Sequence, residues 1–504
     1  MHRRHRRPVI ARAYFRNVMA RCANGEFVTR VRAHDPNRGD AFVGAQETQG
    51  LEELTAAGKD PVYNAAIFCT RFCERQMQRV RLPMFTRMSS EHCRPSRRTV
   101  LQGAAGASLL PFSNLLGTPA NASSHWISSE HPAFSIGATV GGLTFVAQDA
   151  AGMGSVPAST VAQAARTLEN LKLALASSGQ TLDNVVFLHV MLADYNEAPA
   201  VARLVETAFS NPQRAPATCF IGVSGLGPGR LVRMDAIATT LGDRAPISVM
   251  DVAKPLGSSV HAVRVGDLVF TGAVDAGDTP LDAPVPPSAV ILDRLEAVLR
   301  AAGLGIKDSF RQWSFIRNLR DPEVQRAYGR GRNLRLDSIL APNEYPATSR
   351  MGSPALGDGV AHRCYTVATR GPRQYIESKY ARRIPRLFAQ SVRAGDWLFI
   401  AGQDAVDVAN QTLFVGDLRQ QTEQCIRQLE FIMHAAGGTL DDIVKTTVYL
   451  MDGVDRAVFL DAYTEQFRRR LKTPWMPAGL TMDLDAMRPD CLVEIDAVAW
   501  LGPR

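Results

Sequence analysis

At 504 residues, with 46% apolar and 21% charged side chains, the chain has the composition of a multi-domain globular protein. No uninterrupted apolar run approaches the ~18 residues of a membrane-spanning helix. The formal net charge of +8 is local: residues 1–87 hold 16 of the 57 basic and 8 of the 49 acidic side chains, which leaves 41 of each sign in residues 88–504. The electrically balanced body removes the electrostatic basis for binding DNA or RNA.

In chain order, residues 1–87 carry fifteen arginines and one lysine and show no sustained periodicity. They read as an over-extended start or a basic tail, outside the folded body. Residues 88–122 then carry, in order, Ser96-Arg97-Arg98-Thr99-Val100-Leu101, a Gly/Ala-rich apolar segment interrupted by Pro111, and Ala120-Asn121-Ala122. A charged region, a soft apolar region and a small-x-small site match a twin-arginine signal peptide, with Val100 where Phe is usual. The competing reading is a basic loop ahead of a buried helix. Export implies a periplasmic protein. Of the cysteines, Cys219, Cys364, Cys425 and Cys491 follow this segment. None forms a CxxC pair or stands beside a His at zinc-like spacing, so they read as small buried hydrophobes and no metal is implied.

After the leader the chain repeats itself. Pro216-Ala217-Thr218, Pro346-Ala347-Thr348 and Pro477-Ala478-Gly479 recur at spacings of 130 and 131, as do D-A-I-A-T from Asp235, Y-T-V-A-T from Tyr365 and D-A-V-A-W from Asp496. Periods of this length define whole domains, here 130–243, 250–372 (the divergent one) and 384–504. Each begins with an apolar hairpin turned by Gly-Gly or Gly-Asp. An amphipathic helix follows; in the first copy Val161, Ala164, Leu168, Leu171 and Leu175 share one face. A β-branched strand, a second helix and two strands complete the order ββαβαββ. The expected class is α+β, a sheet with helices on one face, whose other face needs a cover.

These motifs resemble the RidA (YjgF) family of reactive-intermediate deaminases, most closely in the third copy, with A-G-Q after its second strand, D-D-I-V-K-T-T-V-Y-L, A-Y-T-E-Q-F and V-E-I-D-A-V-A. The resemblance implies a chorismate-mutase-like domain that normally assembles as a trimer with clefts between subunits. Three fused copies imply a monomeric pseudo-trimer within one chain, each sheet covering another. It further implies hydrolysis of a small imine or enamine acid without metal or cofactor. An arginine directly after Pro-Ala would grip the substrate carboxylate, and an acid in the last strand would deliver water. Here the arginine position is Thr218, Thr348 and Gly479; the acid position is Asp235, Tyr365 and Asp496. Gly272 and Gly402 match the glycine after strand two, which Ala147 replaces in the first copy. Phe134 and Phe388 fall near the first-strand aromatic. Arg350, two residues beyond Thr348 on the same strand face, is the candidate replacement cation.

The resemblance thus implies catalysis by Asp235 and Asp496, whose alternative is a structural acid bonded to backbone N–H groups, and substrate binding by Thr218, Thr348, Arg350, Tyr365, Phe388, Gly402, Gly479 and Gly272. Two function classes stay open: a hydrolase releasing ammonia, and a non-catalytic small-molecule binder or scaffold. The export reading has a direct check. N-terminal sequencing of protein recovered from the periplasm should begin near Ser123; an intact terminus at Met1 contradicts it.

Overall fold

The computed structural model describes residues 31–35, 39–43, 125–127, 133–151, 155–384, 386–409 and 413–503. The twin-arginine motif and Ala120-Asn121-Ala122 lie outside the described residues. The chain divides into two compact units, Met1–Thr118 and Pro119–Arg504. In the first unit, β1 (Val31–Asp35) and β2 (Gly39–Val43) form an antiparallel pair in a segment where the sequence offers no sustained pattern. The local alternation V-R-A and A-F-V on either side of P-N-R accounts for so short a hairpin. Among the described residues no helix is long and apolar enough to cross a membrane.

The second unit builds one series of elements three times. Copy one contains β3 (His125–Ile127), β4 (Gly137–Val140), β5 (Leu143–Asp149), α1 (Thr160–Ser177), β6 (Val185–Leu192), α2 (Ala198–Ala208), β7 (Ala217–Gly222) and β8 (Val232–Thr239). Copy two contains β9 (Arg244–Ile247), β10 (Ala262–Val265), β11 (Leu268–Thr271), β12 (Val274–Asp275), α3 (Pro287–Ala301), β13 (Ser309–Ile316), α4 (Pro322–Leu336), β14 (Ala347–Gly352) and β15 (His362–Thr369). Copy three contains β16 (Arg373–Ile376), β17 (Ser391–Ala394), β18 (Trp397–Asp404), α5 (Leu418–Ala435), β19 (Ile443–Met451), α6 (Arg456–Arg470), β20 (Ala478–Leu484) and β21 (Val493–Trp500).

The sheet orders are β3-β4-β5-β8-β6-β7, β9-β10-β11-β15-β13-β14 and β16-β17-β18-β21-β19-β20, with β12 continuing along β15. Copies one and three therefore have one strand more than ββαβαββ, and copy two, in which β12 is a separate strand, has two. The added strands, β3, β9 and β16, are three or four residues long and sit at a sheet edge. That is too short to print an alternating pattern, and Pro246 is tolerated there because an edge strand can spare a donor. The helices cover one face of each sheet. Ala164, Leu168, Leu171 and Leu175 of α1 are buried as the periodicity predicts, whereas Val161, in the first turn, is 37% exposed.

The other sheet faces share one core. Phe145, Phe187, Phe270, Tyr365, Phe399 and Tyr449, drawn from all three copies, belong to a single buried cluster. Contacts run in a closed cycle: β7 against β11, β14 against β18, and β20 against β5. Three backbone hydrogen bonds mark the cycle: Gly222 N–H to Ala355 O at 2.8 Å, Gly352 N–H to Ala486 O at 2.7 Å and Asp483 N–H to Gly225 O at 2.9 Å. Their donors and acceptors repeat at the 130- and 131-residue spacings, so the copies surround a pseudo-threefold axis. Glycine is required for the close approach: a Cβ on Gly222 would lie 2.7 Å from Ala355 O.

Around the axis runs a ring of three equivalent pairs. Phe187, Arg311 and Lys445 are equivalent, since they pair in register with Ala217, Ala347 and Ala478. Each meets the last strand of another copy. Lys445 forms an ion pair with Asp235, Arg311 pairs with Asp496 at 2.6 Å, and Phe187 packs on Tyr365 at 4.7 Å between ring centroids. Asp496 Oδ2 also accepts from Trp313 Nε1 (2.9 Å), Ser349 Oγ (3.0 Å) and the Tyr449 hydroxyl (2.7 Å). Asp235, Tyr365 and Asp496 thus lie along the pseudo-threefold axis of the second unit, where they are buried and line an inner cavity. Removing one member of a buried pair strands the other charge. Asp496→Ala is expected to lower unfolding free energy by about 3–5 kcal/mol in denaturant melts; Asp496→Asn, which keeps an acceptor, should lose less.

Candidate functional site

Three clefts lie between neighbouring copies, and their chemistry differs. The cleft between copies two and three is a cavity of about 90 Å3. Tyr328, Thr348 and Arg350 form its copy-two wall; Phe388, Gly402, Asp404 and Glu494, with Arg382 and Arg488, form its copy-three wall. Thr348 and Arg350 face it together because they stand two apart on β14. The Arg350 guanidinium lies 5.5 Å from the Tyr328 ring centroid. Among the described residues it makes no ion pair, so its donors remain available.

Opposite stands Glu494 on β21, two residues before Asp496. Both side chains leave the same strand face, but one step of about 7 Å separates the axis from the cleft. Register on β18 slips between Ile400 and Gln403, a bulge that brings Asp404 level with Glu494. A bulge re-aims the chain, and here it brings Gly402 against the carboxyl: a Cβ on Gly402 would overlap the Glu494 carboxylate. Gly402 N–H donates to Ser349 Oγ at 3.1 Å, the same hydroxyl that donates to Asp496. Asp404 is held by Arg382 and, at 3.4 Å, by Arg488. Burial, and then the neighbouring Asp404 and Asp496, push the Glu494 carboxyl up to about 8, against the opposing pull of Arg350 and Arg382. At neutral pH this acid is therefore mostly protonated.

The equivalent positions in the other clefts carry arginine. Between copies one and two, Asp275 is level with Arg363 and pairs with it at 3.3 Å. Arg363 also donates to the Tyr195 hydroxyl at 2.5 Å and Phe220 O at 2.6 Å. Thr218 lies in this cleft, its hydroxyl donating to Leu256 O at 2.6 Å, and Gly272 backs against Pro255. Between copies three and one, Asp149 is level with Arg233 and pairs with it at 3.4 Å and with Arg230 at 3.1 Å. Arg233 also donates to Thr481 O at 2.8 Å. Phe134 fills the space beside Gly479, where a Cβ would lie 2.5 Å from its ring, and packs on Tyr463 at 4.8 Å. β5 runs through Ala147 without a bulge.

The structure thus brings Thr348, Arg350, Phe388 and Gly402 together, puts Thr218 with Gly272 in a second cleft and Gly479 with Phe134 in a third, and gathers Asp235, Tyr365 and Asp496 on the axis. Sequence reasoning missed Glu494, Asp404, Arg382, Arg488 and Tyr328. One signal pointed to Glu494: Arg233, Arg363 and Glu494 recur at 130 and 131, and a charge at the same strand position of every copy marks a place that reaches solvent. Among the described residues no cluster of His, Cys, Asp or Glu could hold a metal ion.

The sequence profile described as endoribonuclease L-PSP matches residues 133–240 and 383–501. A RutC family protein of Pyrococcus horikoshii is 35% identical over 113 residues, 22% of this chain and 86% of the relative. One of Sinorhizobium fredii is 37% identical over 114 residues, 23% of this chain and 86% of the relative. Among solved structures, RidA from the Antarctic bacterium Psychrobacter sp. is 31% identical, aligned over 25% of this chain and 98% of that one, with a TM-score of 0.23.

The fit of Gly402 to Glu494 is testable. Gly402→Ala should displace the Glu494 side chain toward water at a cost of about 1–3 kcal/mol in stability. Its titration midpoint, followed by carboxyl NMR, should fall from about 8 toward the ordinary glutamate range. An unchanged midpoint would contradict the packing.

Proposed function

The chain belongs to the RutC family, which includes RidA, and on that premise we propose that the cleft between copies two and three hydrolyses a small imino or enamino acid to the keto acid and ammonia. The observation that carries this reading is the pairing of a protonated Glu494 with the unengaged Arg350 across one cavity. Arg350 supplies charge-assisted hydrogen bonds to the substrate carboxylate. Glu494 gives its proton to the imine nitrogen, which makes the adjacent carbon electrophilic. Water adds to that carbon, and the Glu494 carboxylate takes up the proton the water loses. Collapse of the carbinolamine expels ammonia and leaves the keto acid, so atoms balance with one water consumed and no electrons transferred to a carrier. The other two clefts present Arg363 and Arg233 where the acid is needed, and serve at most as binding sites.

An ammonia-release assay on freshly generated imines tests the assignment. Glu494→Gln should lower kcat by about 100-fold or more while keto-acid binding stays nearly unchanged. Arg350→Ala should weaken pyruvate binding by about 1.5–3 kcal/mol. Because the protonated acid starts the reaction, the rate should hold on the acid side and fall as pH rises through about 8. Wild-type protein that binds keto acids but releases no ammonia would leave the binding-protein reading in its place.

A further inference from the structure

We propose that this cleft selects dicarboxylic ligands, with Arg350 holding one carboxylate and Arg488 the other. The identity of the ligand as an imine rests on the hydrolytic reading above; the mode of binding rests on the arginines themselves. The two side chains stand on opposite walls, Arg350 on copy two and Arg488 on the copy-three loop between β20 and β21. Neither is used up by the protein. Arg350 makes no ion pair among the described residues. Arg488 reaches Asp404 Oδ2 only at 3.4 Å, an oxygen that Arg382 already engages, and its side chain is 38% exposed. The arginines of the other clefts, which stand at the Glu494 position, are committed: Arg363 has three acceptors around it, and Arg233 is shared between Asp149 and Thr481.

Charge points the same way. Arg350, Arg382 and Arg488 face Asp404 and the protonated Glu494, and arginine stays charged at any working pH. Asp404 offsets one of these cations. A monocarboxylate would offset a second and leave one guanidinium facing the cavity uncompensated, whereas a dicarboxylate matches both. Leu387 and Phe388 on the same wall offer apolar contact to a short carbon chain between the two acid groups. Inorganic phosphate, a compact anion without a carbon chain, serves to separate geometry from charge.

Calorimetry on the full chain at neutral pH, with oxaloacetate, pyruvate and inorganic phosphate as probes, tests this. Oxaloacetate should bind about tenfold or more tighter than pyruvate, and phosphate should bind more weakly than oxaloacetate. Arg488→Gln should erase the preference by weakening oxaloacetate much more than pyruvate, and the pyruvate binding that remains shows that the cleft is still formed. Arg350→Gln should weaken both keto acids. Equal affinity for the two keto acids, a preference that survives Arg488→Gln, or phosphate as tight as oxaloacetate would each overturn the dicarboxylate assignment while leaving the hydrolytic reading standing. Failure of every keto acid to bind would remove both.

Discussion

Three pairs around the pseudo-threefold axis govern how this chain is put together. Two are ion pairs, Asp235–Lys445 and Arg311–Asp496, and the third is the aromatic contact of Tyr365 with Phe187. A buried charge is tolerated only with its partner, so the residues on neighbouring copies are matched two by two. Copy two presents a tyrosine in place of an acid, and copy one meets it with a phenylalanine in place of a base. Trp313 stacks on the same tyrosine at 4.8 Å and completes the exchange of a charged pair for an apolar one. Asp496 does more than hold the axis. Its partner Ser349 also receives the Gly402 N–H, so the ring fixes the backbone against which Glu494 packs.

Fusion of three copies into one chain allows the clefts to diverge, because no single sequence must serve all three. The divergence follows one rule. A strand-two aspartate stands level with a last-strand residue in every copy: Asp149 with Arg233, Asp275 with Arg363, Asp404 with Glu494. The first two combinations neutralise themselves. The third sets two carboxyl groups side by side, and burial together with the neighbouring Asp404 pushes the Glu494 carboxyl up to about 8. A bulge in β18, and a glycine at it, make room for that arrangement. β5 has neither, and Phe134 fills its cleft instead.

Much of this was legible in the sequence. Repeats at 130 and 131 residues, the glycine-turned hairpins and the amphipathic helices gave the α+β class and the need for mutual cover. The short edge strands β3, β9 and β16 left no periodic trace. Arg350, chosen for its two-residue offset from Thr348, does line the cleft with Thr348. The acids were harder. V-E-I-D carries two on one strand face, and alternation says which face a side chain takes but not how far from the axis it sits. That depth is set by neighbouring copies, whose relevant residues, Arg311 and Ser349, lie more than 140 positions away from Asp496 in sequence. Their pairing becomes visible only when the three sheets are assembled.

The central claim is that one cleft of three is built for chemistry, and that its acid is Glu494 rather than either axial aspartate. A crystal structure of the protein soaked in a keto acid tests it most directly. The account predicts ligand density between copies two and three, with a carboxylate on Arg350 and the keto carbon beside Glu494. Density against Asp235 or Asp496 on the axis, or equal occupancy of all three clefts, would contradict it.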